Sequence, residues 1–124
     1  QVSVHARLLQ IFSLNLEAFV NDLKAGGTFK DTLILVFSEF GRRLKQNAAA
    51  GTDHGAANNV FVIGENLKKP GIYNPMDDLI NLDEIGDIRY KIDFRSIYSS
   101  ILNQWMEVDD KSILDSTFDR LDFI

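Results

Sequence analysis

Two short, uninterrupted apolar runs constrain the fold of this chain more than any other feature of its sequence. Residues 32–37 read TLILVF and residues 59–63 read NVFVI, and in neither run do apolar and polar residues alternate. Gly64 follows the second run. Such runs are typical of strands that are buried on both faces, as in a parallel sheet covered by helices. The sequence therefore predicts two neighbouring central strands.

Helical periodicity lies on both sides of these predicted strands. Residues 3–24 and residues 93–106 carry apolar side chains that recur every three or four positions, which predicts two amphipathic helices. Glycines 26 and 27 are a stop signal for the first helix, and Asp93 is a favourable N-cap for the second. The two apolar stripes consist of Val4, Leu8, Phe12, Leu16, Phe19 and Leu23, and of Phe94, Ile97, Tyr98, Ile101, Leu102 and Trp105.

These elements predict an α/β fold in one domain over residues 1–124, with a short, mostly parallel sheet flanked by helices. Residues 38–58 are expected to be a long loop and residues 65–86 a surface loop, while residues 87–92 can hold a short strand. So few strands leave exposed sheet edges. We therefore expect either further strands from a longer polypeptide or self-association through the edge. The start at Gln1, directly in a helical pattern, also predicts a part of a longer protein.

Composition excludes several classes of protein. The 124 residues carry a net charge of −5, whereas a nonspecific nucleic-acid binder needs a basic face, so we expect no nucleic-acid partner. The chain has no cysteine, which excludes disulfide scaffolds, thiolate metal sites and cysteine nucleophiles. No apolar run approaches the roughly 18 residues that a membrane-spanning helix needs.

The first candidate site directly follows the first predicted strand. Residues 38–43 read SEFGRR, and ligands of open α/β sheets bind beyond the carboxyl ends of the strands. Glu39 is placed there to hold a metal ion or to act as a base, and Arg42 to attract an anionic substrate. The alternative is a turn in which Glu39 pairs with Arg42 or Arg43 and the basic side chains are solvated.

The second candidate site lies just before the second predicted strand. Residues 51–55 read GTDHG, and the carboxylate of Asp53 and the neutral imidazole of His54 are ligands for zinc, manganese or iron. The alternative is a tight turn in which Asp53 accepts backbone N–H groups and His54 forms a local hydrogen bond. Glu39 and His54 border neighbouring strands, so both are candidates for one site. The serines of the second helix have no adjacent base, so no nucleophile is predicted.

Four motifs resemble one bacterial family in the same order along the chain. They are HARLL at residues 5–9, LVFSEFGRR at 35–43, GTDHGAANNVFVIG at 51–64 and IDFRSIYSSILNQWMEVD at 92–109. The family is the domain of unknown function 1501, and the resemblance covers almost the whole chain. Its members are much longer, and this chain resembles their C-terminal portion. Because members often carry twin-arginine export signals, the resemblance implies an exported, periplasmic protein.

The resemblance also implies a partial three-layer alkaline phosphatase-like fold, since the family is grouped with the alkaline phosphatase and sulfatase superfamily. Those enzymes use two metal ions and a Ser, Thr or formylglycine nucleophile to hydrolyse phosphate or sulfate esters. TLILVFSEFG resembles the superfamily strand that ends in Ser-Asp-His-Gly, so Glu39 stands at the position of a ligand Asp and Phe40 at that of a ligand His. His54 matches a metal-binding His of the cofactor-independent phosphoglycerate mutases. The nucleophile region corresponds to sequence upstream of this chain.

The function that the resemblance implies is that of the C-terminal part of a metal-dependent phosphate- or sulfate-ester hydrolase. Its metal ligands would be Glu39, His54 and Asp53, and Arg42 would bind the anionic ester. The full-length protein would hold zinc, manganese, magnesium or calcium, and the isolated fragment is expected to be inactive. The alternative is a non-catalytic binding or structural protein of the envelope that keeps the sulfatase-like fold, in which Phe40 marks the loss of chemistry.

Overall fold

The computed structural model describes residues 2–75 and 79–124, which form two compact units. The first unit spans residues 1–65 and the second spans residues 66–124. Both contain helix, and the first also contains strands, so the α/β class is confirmed. The prediction of a single domain over residues 1–124 stays a prediction.

The first unit begins with helix α1, Val2–Ala25, as the apolar periodicity predicts. The helix ends at the two glycines: Gly26 N–H donates to the Asp22 carbonyl, and Gly27 has a φ of 71°, in the left-handed region that favours glycine. None of the residues of α1 is buried. Of its apolar stripe, Val4, Leu8, Phe12 and Phe19 are exposed, and Leu16 and Leu23 are partly buried. A short 3₁₀ turn, Phe29–Asp31, follows and contains the buried ring of Phe29.

Four strands follow α1, and they form two separate two-stranded sheets among the described residues. In chain order they are β1 Leu33–Val36, β2 Gly41–Gln46, β3 Thr52–Gly55 and β4 Phe61–Gly64. β1 pairs with β4, and β2 pairs with β3.

β1 and β4 are the two strands that the apolar runs predict, and they are neighbours as expected. The pairing is antiparallel, with Leu33 opposite Gly64 and Val36 opposite Phe61, so the prediction of a mostly parallel sheet is wrong for the described residues. A parallel pair needs a crossover of about a dozen or more residues, usually a helix. The residues between these two strands form a hairpin instead. All four residues of β1 are only partly buried, so the apolar run reflects a half-covered strand rather than one buried on both faces.

The hairpin of β2 and β3 replaces most of the long loop that was predicted over residues 38–58, and that prediction is wrong. Gly41 lies opposite Gly55, and Arg42 lies opposite His54. Asn47 closes the turn, because its side-chain oxygen accepts the backbone N–H groups of Ala49 and Gly51 at 3.1 and 3.0 Å. Polar strands of this kind lack the apolar pattern that identifies a strand in a sequence.

The second unit contains helix α2, Phe94–Ser100, which continues as a π-helix over Ile101–Trp105. Asp93 caps α2 by accepting the backbone N–H of Arg95 at 2.9 Å, so the predicted helix and its cap are confirmed. A short helix α3, Asp110–Leu114, follows. The buried apolar side chains of this unit are Phe123 and Ile124 among the described residues.

The remainder of the second unit is irregular. Residues 87–92 form no strand, which corrects the prediction of a short one there; the described backbone turns locally instead, with Asp83 N–H donating to the Asp87 carbonyl. The loop predicted over residues 65–86 contains neither helix nor strand where it is described, and residues 76–78 of it lie outside the described part. Across residues 2–75 and 79–124, no helix is both long and apolar enough to cross a bilayer.

Candidate functional site

The turn between β1 and β2 carries the first candidate residue, Glu39, which is exposed. Two hydrogen bonds shape this turn. The Ser38 hydroxyl donates to the Phe40 carbonyl at 3.0 Å, and the side-chain amide of Asn58 donates to the Ser38 carbonyl. The second bond ties the SEFG segment to the residues that follow β3. Glu39 thus lies in a turn that both motif segments stabilise.

One face of the hairpin brings together three side chains that we call the hairpin face: Phe40, Arg42 and His54. The rings of Phe40 and His54 are stacked, with 3.6 Å between their centroids and 16° between their planes. Arg42 lies directly opposite His54 in the sheet, and its guanidinium carbon is 5.8 Å from the centre of the Phe40 ring. Phe40 precedes Arg42 by two residues, so both side chains lie on the same side of the extended backbone. The two sequence motifs therefore converge at this face.

A hydrogen bond of its guanidinium group also fixes the direction of the Arg42 side chain. Its Nη1 donates to the Thr52 carbonyl at 2.8 Å, which joins β2 to the start of β3. The side chain is exposed, and a guanidinium has several N–H donors in a planar fork that matches a carboxylate, phosphate or sulfate group. Arg42 is therefore placed to meet an anion from solvent while one of its donors fixes its direction.

Asp53 lies on the opposite side of the hairpin from His54. Successive side chains of a strand point to opposite faces, and Asp53 precedes His54 in β3. Consistent with this, an Asp53 carboxylate oxygen accepts the side-chain amide of Asn47 at 2.9 Å, whereas His54 stacks on Phe40. Asp53 thus interacts with the turn of the hairpin, and the structure directs only His54 of this pair toward the hairpin face.

Two glycines allow the close approach of the segments. A Cβ atom added to Gly41 would lie 1.5 Å from the Ala57 carbonyl oxygen, and one added to Gly55 would lie 2.9 Å from the Arg42 carbonyl carbon. Both distances are below any that real Cβ atoms show. The glycines of SEFGRR and TDHGAA are therefore needed for the backbone contact that creates the hairpin face.

The donors at this site suit a divalent metal ion only in part. An imidazole nitrogen and a carboxylate oxygen are ordinary ligands for zinc or manganese. Within the described ranges, however, there is no group of three or more His, Cys, Asp or Glu side chains that could hold an ion together. Because protein zinc sites normally use three or four ligands, neither His54 nor Glu39 belongs to a complete site among the described residues.

Comparison with known protein families shows to which family this chain belongs. The sequence matches the family described as "Protein of unknown function (DUF1501)" over residues 1–120. The chain belongs to this family. No curated protein and no solved structure gives a match. The DUF1501 membership that the four motifs predicted is thus confirmed, and it covers the hairpin face completely.

Sequence reasoning identified His54 and Arg42 in this DUF1501 protein but missed what joins them. Phe40 was considered only as a replacement for a ligand histidine, whereas its ring forms a stacking contact between the two motifs. The pairing of Arg42 with His54 was missed because residues 38–58 were interpreted as a loop. The available signal was Asn47 followed by Gly51, a combination typical of a tight turn between strands.

A second polar cluster, in the unit of residues 66–124, was also missed. The Ser99 hydroxyl donates to the Asp110 carboxylate, and the Arg120 guanidinium donates to the same group at 2.7 Å. The hydrogen bond from Ser99, followed by that from Arg120, lowers the pKa of Asp110 below its usual range. Ser99 is fully buried, so its hydroxyl serves this interaction and is not accessible as a nucleophile. Ser99 and Asp110 are eleven positions apart, and no sequence pattern connects the two side chains.

Proposed function

We propose that this chain forms part of the active site of a metal-dependent hydrolase of phosphate or sulfate esters. The observation that carries the proposal is the stack of His54 on Phe40, which brings the SEFGRR and GTDHG motifs to one exposed face beside Arg42. A metal-binding nitrogen, an anion-binding guanidinium and a carboxylate, here that of Glu39 in the turn between β1 and β2, are groups that such a reaction uses. The proposal includes an alkaline phosphatase-like fold for the longer protein and its export to the periplasm.

Within this proposal, His54 and Glu39 are the ligands that the chain supplies. A bound divalent ion would polarise the ester and stabilise negative charge on the leaving oxygen. Further ligands and the nucleophile would come from polypeptide beyond residues 1–124, since the described residues contain no group of three or more His, Cys, Asp or Glu side chains that could hold an ion. Asp53, the third residue that the sequence suggests as a ligand, is assigned the weaker role because it interacts with Asn47. The 124 residues alone are therefore expected to be inactive.

Arg42 would orient the anionic ester. Its Nη1 is held by the Thr52 carbonyl, and its guanidinium lies near the Phe40 ring on the same face as His54. Arg42 therefore carries a positive charge at a fixed position next to the proposed metal ligand. A phosphate or sulfate group bound there would be within reach of both groups, because residues directly opposite each other in an antiparallel pair have side chains on one face.

A second candidate function is favoured by one observation. Phe40, which stands at the position of a ligand histidine in the superfamily motif, is stacked on the His54 ring. An aromatic pair beside an exposed arginine is also a suitable surface for binding without catalysis. In this alternative the hairpin face binds an envelope component, and no ester is hydrolysed.

The two functions are separated by turnover and metal content in a longer polypeptide that contains residues 1–124. Chromogenic aryl phosphate and aryl sulfate esters are the substrates, with and without a chelator. We expect chelator-sensitive hydrolysis of one ester class, and a loss of bound metal by mass spectrometry in His54→Ala. His5→Ala is the matched control, because His5 lies on exposed α1, and its metal content should not change. A folded protein with neither metal nor turnover would support the non-catalytic alternative.

A further inference from the structure

The hairpin face carries more hydrogen-bond donors than the acceptors that bind cations. Arg42 contributes a guanidinium, whose polar groups are all donors, and His54 contributes an imidazole N–H, whereas Phe40 contributes neither a donor nor an acceptor. The carboxylate next to His54 in the chain, that of Asp53, lies on the opposite side of the hairpin and accepts the Asn47 side-chain amide. The chemistry of this face therefore suits an anion better than a metal ion.

The positive charge of Arg42 is oriented but not offset. Its Nη1 donates to the Thr52 carbonyl at 2.8 Å, and its guanidinium carbon lies 5.8 Å from the centre of the Phe40 ring. Both partners are neutral, so these contacts direct the guanidinium without cancelling its charge. The side chain is exposed, and its other N–H groups form a planar fork that matches two oxygens of a phosphate or sulfate group.

His54 supplies a second donor on the same face. It lies directly opposite Arg42 in the antiparallel pair, where Cβ atoms are about 5 Å apart. The Phe40 ring is stacked on the His54 ring at 3.6 Å between centroids and 16° between planes. Because the N–H of an imidazole lies in the plane of its ring, a ring stacked on one face leaves that N–H open. His54 is exposed, so its N–H is free to meet the anion that Arg42 binds.

We propose that the hairpin face binds a phosphate or sulfate group directly, through the guanidinium of Arg42 and the N–H of His54, with no metal ion between the protein and the anion. The inference goes beyond the proposed function, in which His54 is a metal ligand, and it does not depend on turnover. It also supplies a ligand chemistry for the non-catalytic alternative. Phe40 is the neutral ring that both anion-binding side chains contact.

The test is an NMR titration of the isotopically labelled chain with inorganic phosphate and, separately, sulfate, at constant ionic strength and with a chelator present. Arg42→Gln removes the charge, Arg42→Lys keeps the charge without the fork, and His54→Phe keeps a ring for the stack without the N–H. Arg7→Gln is the matched control, because Arg7 is exposed on α1. The upfield ring-current shift that the Phe40 stack gives to the His54 ring protons checks that the variants of Arg42 and Arg7 keep the hairpin face, and the backbone amide spectrum does so for His54→Phe.

We expect saturable binding in the presence of the chelator, with shifts concentrated in the β2–β3 hairpin. The affinity should fall about tenfold or more in Arg42→Gln, because charge-assisted hydrogen bonds are lost. It should fall about three- to tenfold in Arg42→Lys and in His54→Phe, and stay unchanged in Arg7→Gln. Parallel titrations with phenyl phosphate and phenyl sulfate show whether the face binds the group as an ester or as the free ion.

Three results would overturn the inference. Equal affinity of the original chain and Arg42→Gln would remove the anion site from this face. Equal affinity of the original chain and His54→Phe would remove the second donor, and with it the two-residue site. Binding that occurs only when Zn²⁺ replaces the chelator would show that a metal ion holds the anion, which would support the metal-ligand role of His54 in the proposed function instead.

Discussion

At the scale of single residues, Asp110 shows how a buried charge is accommodated. Its side chain is 3% exposed, and it accepts hydrogen bonds from Ser99 and Arg120. An unpaired buried carboxylate would be strongly destabilising, whereas one with a hydroxyl and a guanidinium partner is tolerated. The cluster links helices α2 and α3 to the C-terminal segment and is part of the structure of this unit rather than of the candidate site.

The pKa of Asp110 predicts how stability depends on pH. Because the hydrogen bond from Ser99 and then that from Arg120 lower this pKa, the folded chain holds the proton less tightly than the unfolded chain. The stabilisation is therefore complete above the ordinary aspartate pKa of about 4 and is lost as the pH falls through the lower, folded pKa. Asp110→Asn should destabilise the chain at neutral pH and flatten the acid limb of the stability profile. Urea unfolding between neutral pH and about pH 2 measures this.

The matched control for Asp110→Asn is Asp119→Asn, since Asp119 is exposed and lies in the same unit. We expect Asp119→Asn to follow the pH profile of the original chain. If Asp110→Asn also follows that profile, the carboxylate is not stabilised by its two partners.

At the scale of secondary-structure elements, the sequence predicted the features that depend on residues close together in the chain. The stripes of α1 and α2 and the Asp93 cap are properties of one segment each, and all three were predicted correctly. The antiparallel orientation of β1 relative to β4 was not predicted, because the sequence of one strand does not show the direction of the strand that pairs with it. The β2–β3 hairpin was missed because its strands are polar and its pairing depends on close backbone contact at Gly41. The stack of Phe40 on His54 follows from that hairpin and could not be predicted without it.

Gly41→Ala tests whether close backbone contact determines the hairpin. The new methyl group would lie 1.5 Å from the Ala57 carbonyl oxygen, so the backbone must move. We expect a loss of about 1–3 kcal/mol in the free energy of unfolding, together with loss of the Phe40–His54 ring-current shift. Thermal unfolding and NMR measure the two effects.

Gly26→Ala is the control for this substitution. Its added Cβ would lie 3.4 Å from the Asp22 carbonyl oxygen, an ordinary contact, so stability should change by less than about 1 kcal/mol. Equal effects of the two substitutions would show that the hairpin tolerates a side chain at position 41.

At the scale of the whole molecule, the distribution of apolar surface is unusual. Among the described residues, the buried apolar side chains are Phe29, Phe123 and Ile124, whereas α1 buries none of its own. Leu8, Phe12 and Phe19 on its stripe are 46–54% exposed. Contiguous apolar surface of this kind is typical of a face that another polypeptide covers. Each sheet also has only two strands among the described residues, so every strand is an edge strand there.

We therefore expect the chain to self-associate in solution, with the α1 stripe contributing more than the sheet edges. Phe12→Glu places a charge in the stripe, and burying a phenylalanine is worth about 1.5–3 kcal/mol, so association should weaken about ten- to hundredfold. Gln10→Glu adds the same charge to the opposite side of α1 and should leave association unchanged. Sedimentation velocity over a range of concentrations measures all three proteins. A monomer at every concentration would contradict the prediction, and association that survives Phe12→Glu would assign it to the sheet edges instead.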